Sequence, residues 1–504
     1  MAESVDPPST ALQRELGLLD ATMIVVGSMI GSGIFLTSAE SSRIVGAPGW
    51  LLVAWALAGL LTVTGALCCA ELSAMMPRAG GQYVFLREAY GEMVGFLFGW
   101  SMFLVVQTGT IAAVAVAFSK FLGVLIPRVS ADVYLIEPIR VGSHYAISLS
   151  TQQFSSILVI ALLTAMNTRG LKVGTTVQNS LTIIKTAALI GLIVVGLTLG
   201  WNHDSAAWTA SWWEPPQNGW SVAKVEPGLK WGGGLAIVLL LGKAMIGPLF
   251  SQTAWNNVTF TGGEVRNPGR TLPRALLLGC ISVVVLYLLA NVAYLVTLPF
   301  DAIQHADQDR VGTAMMHAAF ERIGYASVGL YVMAVAILIS TFGCDNGLIL
   351  SGARVYYAMA RDGLFFAKVA TTNTKHVPAV ALVAQGAWAC ILTLPRTVSD
   401  VPGSKPSFGN VYTQLLEYIV SADLMFYALM VGAVLVLRRK QPDADRPYRI
   451  FAYPFPPLIY LTLTTLLLID LIFFSPETSG MGFAIVLLGI PAYAITRGSR
   501  RKTH

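Results

Sequence analysis

Charge is what this 504-residue sequence has least of, because only 12% of its residues are Asp, Glu, Lys or Arg. Soluble domains carry about 25% of these residues, and a water-soluble chain of this size with so little charge would aggregate. Hydrophobic residues make up 55% of the chain, and its mean hydropathy is +0.65. The composition excludes soluble, disordered and collagen-like proteins and predicts a polytopic membrane protein.

Residues that bind metals or form disulfides are also scarce. The five cysteines all lie in or beside apolar segments, and the six histidines lie in polar connections or the C-terminal tail. A metal or haem site would need thiolates or imidazoles that converge from the spans. We therefore predict no metal, no cofactor and no external disulfide. The net charge of +6 is dispersed between apolar runs, so no nucleic-acid partner is predicted.

Apolar windows long enough to cross the roughly 30 Å hydrocarbon layer as helices recur along the chain. We find twelve: 18–40, 50–70, 94–126, 152–168, 176–199, 233–260, 275–298, 326–357, 379–395, 412–437, 454–474 and 480–496. If both termini are cytoplasmic, the inner segments hold 21 of the 33 lysines and arginines, the outer segments 10 and the spans two. The positive-inside rule therefore predicts cytoplasmic termini.

The outer connection 200–232 is rich in tryptophan. It holds six of the eleven tryptophans in the chain: Trp201, Trp208, Trp212, Trp213, Trp220 and Trp231. Tryptophan rings concentrate at the headgroup level of membranes. We interpret this segment as an aromatic belt rather than a substrate-recruiting surface.

Two predicted spans contain helix-breaking sequences. The first holds Gly27, Gly31 and Gly33, and the sixth holds Gly247-Pro248 followed by a polar run that ends at Asn257. Glycine costs a helix about 1 kcal/mol and proline about 3, so such breaks persist in lipid only where the freed backbone faces protein, water or a ligand. Each break opens a group of five spans, which is typical of inverted-repeat transporters. The alternative is a pair of kinked packing helices.

The half-helices at these breaks indicate a ligand. The second half of span one begins near Ser32 and Gly33, where free amides and the positive end of the helix dipole suit a carboxylate. The first half ends near Ile30 with carbonyls that suit an ammonium group, as do the carbonyls around Phe250 and Ser251. The two features together fit the head group of an α-amino acid, although other zwitterions would fit equally well.

Several stretches of the chain are recognisable as family motifs. They are GSMIGSGIF (27–35), CAELSAMMPRAGGQYVFLREAYG (69–91), NTRGLKVGTTVQNSLTIIK (167–185), FSQTAWNNVTFTGGEVRNPGRTLPRAL (250–276), NVAYL (291–295) and SGARVYYAMARDG (351–363). These stretches resemble the amino acid–polyamine–organocation (APC) superfamily, most closely the L-type amino acid transporter family, which includes the light chains of heteromeric transporters. The resemblance covers residues 15–440 continuously.

The resemblance implies an all-α integral membrane fold with twelve transmembrane helices. In this leucine-transporter-like fold, a five-plus-five inverted repeat is followed by two C-terminal helices. The expected organisation is a cytoplasmic tail (1–17), a first repeat (18–199), the external Trp-rich loop (200–232), a second repeat (233–437), spans eleven and twelve (438–496) and a cytoplasmic tail (497–504).

The resemblance also implies the substrate site. By position, the amides at Ser32 and Gly33 would bind the substrate's carboxylate, and Gly31 belongs to the same substrate-binding run. The carbonyls of Ile30, Phe250, Ser251 and Thr253 would bind its amine, Phe250 would be the aromatic gate, and Asn256 would be a polar residue at the inner edge of the break. The family usually has glycine where this chain has Thr253 and Ala254, which predicts a smaller pocket. A side chain placed at Gly33 is expected to block the ligand without preventing folding.

Lys185 lies inside predicted span five, where a lysine costs at least about 2.5–3.5 kcal/mol to insert. Its position resembles that of the family lysine that replaces a sodium ion in sodium-coupled relatives. The ammonium would then bridge Gly27 in span one to Ser340 and Thr341 in span eight, which implies sodium independence. The alternative is a structural lysine that joins two helices. Lys243, in the outer half of span six, has no assigned role.

The predicted function is sodium-independent transport of neutral L-amino acids by alternating access, in exchange for a second amino acid. Proton-coupled symport is the alternative within this class. A channel or a membrane-embedded enzyme would need a pore motif or a converging catalytic set, and the sequence contains neither.

Partners and location follow from the loops. Animal members of the L-type family pair with a glycoprotein through a cysteine in the loop after span three, but segment 127–151 has no cysteine. We therefore expect no disulfide-linked heavy chain. The expected environment is the inner membrane of a bacterium, with a small amino acid and the lipid bilayer as the only partners.

Overall fold

The computed structural model describes residues 14–142, 145–215, 221–225, 234–399, 407–409, 411–474 and 476–500. Most of the predicted N-terminal tail lies outside these residues, as do Trp220, Trp231 and positions 501–504. Long helices dominate the described chain, as the apolar windows predicted.

The first half of the chain contains ten helices within the described ranges. They are α1 (Leu18–Met29), α2 (Gly33–Val45), α3 (Pro48–Met75), α4 (Gln82–Tyr90), α5 (Glu92–Ser101), α6 (Gln107–Leu125), α7 (Thr151–Asn167), α8 (Leu171–Leu197), α9 (Ala206–Thr209) and α10 (Val222–Val225). A π-helical turn, Met102–Val106, joins α5 to α6 in one span.

The second half of the chain is also mainly helical. Its described helices are α11 (Gly234–Ala244), α12 (Ile246–Ser251), α13 (Asn257–Phe260), α14 (Pro268–Thr297), α15 (Phe300–Gln304), α16 (Val311–Glu321), α17 (Ala326–Arg361), α18 (Ala379–Leu392), α19 (Val411–Lys440), α20 (Phe455–Phe474) and α21 (Pro476–Arg500). Short 3₁₀ turns occupy Gly262–Glu264, Asp307–Asp309 and Ala367–Ala370.

Each of the twelve predicted windows coincides with helical structure, but not every helix is long enough to count as a span. Eight helical segments of the described chain are long and apolar enough to cross a membrane. Three shorter apolar helices cover Leu239–Ser251, Ala379–Leu392 and Gly482–Thr496, and α7 has 17 residues. The membrane-spanning helical class is confirmed, and the count of twelve stays a prediction.

A small β-sheet is an addition that the all-α prediction did not contain. Its strands are β1 (Tyr134–Val141), β2 (Tyr145–Ser150), β3 (Pro395–Ser399) and β4 (Ser407–Gly409), and all neighbouring pairs are antiparallel in the order β1-β2-β3-β4. The sheet joins the connection before α7 to the connection before α19. We call this end of the helical bundle the sheet face. Hydropathy windows missed it because strands of three to eight residues are too short to be distinguished from connecting segments.

The helices differ in how much protein surrounds them. In the most apolar window of Glu92–Leu125, 83% of the residues are buried, and in Leu18–Val45 the share is 72%. The corresponding share is only 33% in Gly174–Leu197 and in Phe455–Phe473. Because lipid replaces water around a spanning bundle, the buried segments are central and the others are peripheral. The interrupted first span therefore lies at the centre of the bundle.

Candidate functional site

The helix break predicted in the first span is present. Helix α1 ends at Met29, residues Ile30–Ser32 are not helical, and α2 begins at Gly33. The amides of Gly33 and Ile34 precede the hydrogen-bond ladder of α2, whereas the Phe35 amide donates to the carbonyl of Ser32 at 3.0 Å. The helix dipole makes this end positive. The break therefore presents donors on its α2 side, as the sequence predicted.

The sixth span is interrupted as well. Helix α12 ends at Ser251, and α13 begins at Asn257 after a non-helical stretch. Within that stretch Ala254 has a φ of +66°, in the left-handed region. This region is costly for residues with a Cβ and easy for glycine. The departure from the family's usual glycine therefore creates backbone strain, which the sequence analysis described only as a loss of space.

The two breaks are in direct contact. A Cβ on Gly33 would lie 2.7 Å from the Cβ of Ser251 and 3.0 Å from its Cα. The hydroxyls of Thr37 and Ser251 are 3.3 Å apart. The expectation that a side chain at Gly33 would block the ligand without preventing folding stays a prediction. The contact adds a packing cost to it, because this glycine also allows the two helices to touch.

The carbonyls predicted to bind the substrate's amine differ in whether they already accept hydrogen bonds from the protein. The Ile30 carbonyl accepts hydrogen bonds from Lys185 Nζ at 2.8 Å and from Ser340 Oγ at 3.3 Å. The Phe250 carbonyl accepts from the amide and the hydroxyl of Thr253 at 3.2 and 2.8 Å. No described group donates to the carbonyls of Ser251 or Thr253. These two are therefore the acceptors that remain for an ammonium group.

The side chain of Asn256 is occupied by protein partners. Its Nδ2 donates to Oε1 of Gln82 at 2.6 Å, and its Oδ1 accepts from the hydroxyl of Tyr427 at 2.9 Å. The neighbouring Trp255 ring stacks on Tyr427 with centroids 5.0 Å apart. Asn256 therefore joins the break in span six to α4 and α19, which favours a positioning role over direct contact with a substrate.

Lys185 reaches the first break, as predicted. It is fully buried, and its Nζ donates to the carbonyl of Gly27 as well as to that of Ile30. Gly27 also allows α1 and α8 to approach closely, because a Cβ there would meet the side chains of Gln178 and Thr182. The lysine thus supplies a positive charge and two donors to the exposed C-terminal end of α1.

The two residues predicted on span eight behave differently. The Ser340 hydroxyl lies within 3.3 Å of the Ile30 carbonyl and 3.2 Å of the Gly31 carbonyl, so it contacts the break directly. The Thr341 hydroxyl donates to the carbonyl of Ile337 in its own helix. The predicted bridge to Thr341 is therefore absent here, and the link from Lys185 to span eight passes through the Ile30 carbonyl that it shares with Ser340.

The family model described as amino acid permease matches residues 16–495. The chain belongs to the amino acid permease family.

Three curated relatives match nearly the whole of this permease. The human "Large neutral amino acids transporter small subunit 2" is 29% identical over 485 residues, which cover 96% of the permease and 80% of the relative. The "Serine/threonine exchanger SteT" of Bacillus subtilis is 29% identical, with 96% of both chains covered. The mouse "Asc-type amino acid transporter 1" is 28% identical, covering 96% and 81%. The resemblance to APC and L-type transporters is confirmed, and the protein is a multi-pass amino acid transporter and not an enzyme.

Some residues that contact the breaks had no predicted role. The hydroxyls of Tyr287 and Tyr294 on α14 donate to the carbonyls of Met29 and Ile34, at 2.9 and 3.2 Å. The Cys344 thiol on α17 donates to the carbonyl of Ser28 at 3.1 Å. These residues lie in ordinary apolar runs, and only their tertiary positions distinguish them. NVAYL, which contains Tyr294, was quoted as a motif but received no role.

Charged pairs hold the end of the bundle opposite the sheet face. Glu71 accepts hydrogen bonds from Arg438 at 2.8 and 2.6 Å, and the fully buried Glu264 pairs with Arg354 at 3.0 Å. On the same side, burial and a hydrogen bond to Asp362 raise the pKa of the Tyr83 phenol. Truncating one partner of a buried pair leaves the other charge uncompensated, so these residues are structural.

Lys243 lies near an acidic residue of another helix. It lies in α11 beside Gly242, and a Cβ on Gly242 would meet the carboxylate of Asp470 on α20. The charges of Lys243 and Asp470 attract each other. Since α11 is the first half of span six and α20 is outside both predicted repeats, this pair connects the interrupted span to the C-terminal helices.

The breaks are closed to solvent in this structure. The exposed fraction is 1% for Ser32, 3% for Ser251 and 6% for Phe250. Two cavities of about 690 and 560 Å³ lie elsewhere, next to residues such as Lys120 and Arg310 in one case and Arg43 and Lys224 in the other. Neither is lined by residues of the two breaks, so the structure shows the site without an open path to it.

Proposed function

We propose that this permease carries neutral L-amino acids by alternating access, without sodium, in exchange for a second amino acid. The observation that carries the proposal is the contact between Gly33 and Ser251. It brings the start of α2 next to Ser251, at the end of α12. Backbone donors on one broken span and backbone acceptors on the other match the carboxylate and the ammonium of a single amino acid.

An inverted repeat with twelve spans is the architecture that fits this site. Leu16, just before α1, forms a parallel bridge with Val265, just after α13. The start of span one therefore lies at the same end of the bundle as the end of span six. Two spans that run in opposite directions and break at the same depth support a repeat with inverted topology. Phe250, on the last turn of α12, is then the aromatic gate.

Substrate and exchange are supported by the relatives. They include a transporter of large neutral amino acids and a serine/threonine exchanger. The backbone groups at the breaks recognise the part that all α-amino acids share, and a neutral side chain makes no demand for a buried countercharge.

Sodium independence rests on Lys185. Its ammonium group donates to the carbonyls of Gly27 and Ile30, and Ser340 completes the set at Ile30. Carbonyl and hydroxyl oxygens arranged in this way are the ligands a hard cation would take. Because the lysine already places a positive charge there, a sodium ion has neither space nor electrostatic reason to bind.

The permease is proposed to act as a single chain in a bacterial inner membrane, with both termini in the cytoplasm. The connection between α6 and α7 contains no cysteine, so a disulfide-linked heavy chain has no attachment point there. The excess of lysine and arginine on the side of the termini supports this orientation.

Uptake by the purified permease in proteoliposomes tests the proposal. We expect labelled neutral amino acids to enter many times faster when the vesicles contain unlabelled amino acid, and equally fast in sodium and choline buffers. Amines that lack the carboxylate should not compete. Sodium stimulation of several-fold would contradict the role of Lys185, and competition by the amines would contradict the carboxylate site at Gly33. Uptake that is indifferent to internal amino acid would contradict exchange.

A further inference from the structure

A buried acid on α17 has no use in the proposed amino acid site. Asp345 is completely buried, and both of its carboxylate oxygens lack a hydrogen-bond partner among the described residues. A carboxylate without donors in a low-dielectric interior is strongly unfavourable. Ionisable residues inside membrane spans are functional candidates for this reason.

The residues on either side of Asp345 contrast with it. Cys344 donates to the carbonyl of Ser28 at 3.1 Å, and a Cβ on Gly31 would lie 3.0 Å from its sulfur. Asn346 donates to the carbonyl of Gly174 at 3.1 Å and to the side chain of Gln178 at 3.0 Å. This turn of α17 is therefore tied to the broken first span and to α8. Asp345 therefore lies between one residue that contacts the first break and another that contacts α8.

The charges around Asp345 are few. Lys185 on α8 is the charged group that acts on it, and the Cys344 thiol is the other titratable group nearby. The Lys185 ammonium lies 3.5 Å from the position of a Cβ on Gly343, two residues away. Helices α1, α5, α6, α7, α13, α16 and α18 and the Ala367–Ala370 turn also pack against α17. The buried Glu264 that contacts α17 is already paired with Arg354. Lys185 and Asp345 form no ion pair among the described contacts, so the ammonium does not neutralise the carboxylate at contact distance.

We propose that Asp345 is a proton-binding site whose occupancy changes during the transport cycle, so that a proton moves with the amino acid. In the closed state the carboxyl holds the proton, because the neutral acid tolerates burial. When the site opens to water, the O–H bond breaks and the proton passes to water; the carboxylate forms it again from water on the other side. This proposal rests on the proposed amino acid transport and adds a coupled ion to it. A fixed internal charge balance between Asp345 and Lys185 is the competing explanation.

The test uses the full-length permease in proteoliposomes that contain a pH-sensitive dye. One-for-one exchange returns a proton with each amino acid that leaves, so the measurement uses vesicles that contain no amino acid. For the wild type, we expect the slow net entry into these vesicles to acidify the lumen and to be accelerated by an imposed inward proton gradient. In Asp345→Asn, which keeps the shape of the side chain and cannot ionise, proton movement per amino acid should fall at least about fivefold. Asp470→Asn removes another acid from a spanning helix and should keep the proton signal.

The outcomes separate the two proposals. If the wild type exchanges amino acids but its net entry into vesicles without amino acid moves no protons, the proton site is contradicted and the exchange function stands. If the wild type moves neither, the proposed function itself fails. Proton movement that is unchanged in a monodisperse Asp345→Asn protein would assign the site elsewhere. Should that variant fail to fold, Asp345→Ala is measured in the same way, and the wild-type dye signal alone still decides whether a proton moves.

Discussion

The two breaks differ in which of their polar groups already form hydrogen bonds within the protein. At the first break, the backbone carbonyls of Met29 and Ile30 accept hydrogen bonds from tyrosine, lysine and serine side chains on three other helices. At the sixth-span break, the side chain of Asn256 is occupied, whereas the carbonyls of Ser251 and Thr253 have no donor among the described groups.

The two breaks therefore differ in the backbone groups that remain available to a ligand. The first break is held by protein contacts on its α1 side and is open for donation on its α2 side. The second break is held by its side chains and is open for acceptance along its backbone. In the proposed function, a zwitterion would join the two broken spans, with its carboxylate on one and its ammonium on the other. Binding would then change the contact between the spans, as the proposed alternating access requires.

Crowding the contact between the breaks is expected to have the largest effect. Gly33→Val places a branched side chain against the Cβ and Cα of Ser251, and overpacking of this kind costs about 1–3 kcal/mol. We expect transport to be abolished and the apparent melting temperature to fall. Gly191→Val is the matched control, since a Cβ at Gly191 would meet nothing within 4 Å. Normal melting of Gly33→Val would contradict the observed contact.

Removing the ammonium that supports the first break comes next. Lys185→Met keeps most of the side-chain volume but deprives the carbonyls of Gly27 and Ile30 of a donor. Unsatisfied buried acceptors cost about 1–3 kcal/mol, so exchange should fall about tenfold or more. Lys243→Met, another lysine in a span, should reduce exchange much less. Equal losses in both variants would show that Lys185 has no special place at the break.

The smallest expected effect concerns the strained residue in the second break. Ala254→Gly removes a Cβ from a backbone with a φ of +66°, and relief of left-handed strain is worth about 1 kcal/mol. We expect a slightly higher melting temperature and unchanged or faster exchange. The control is Ala387→Gly, at an exposed position inside α18, where glycine should lower stability by about 1 kcal/mol. A loss of stability in Ala254→Gly would mean that the methyl group packs usefully.

Sequence reasoning was strongest where one residue type has a strong local consequence. The glycines at 27–33 and the Gly247-Pro248 step located both breaks, and the lone lysine in span five indicated Lys185. The sequence predicted less well which backbone carbonyls are free to accept hydrogen bonds. Backbone atoms carry no residue-specific signal, and their availability depends on neighbours such as Ser340 and Thr253. Thr341 was assigned a contact that its helix face does not allow. The sheet at β1–β4 was missed because its strands come from connections more than 200 residues apart.

The sequence by itself determined that this protein is a membrane-spanning bundle, that two of its spans are broken, and that it belongs with amino acid permeases. Those properties follow from hydropathy, helix propensity and local motifs, which act within a few residues of one another. Only the tertiary structure decided that Gly33 touches Ser251, that Lys185 and Ser340 share one carbonyl, and that Asp345 is left without a partner. Hydrogen bonds and close packing depend on which helices meet, and helices far apart in sequence meet only after the whole bundle has assembled.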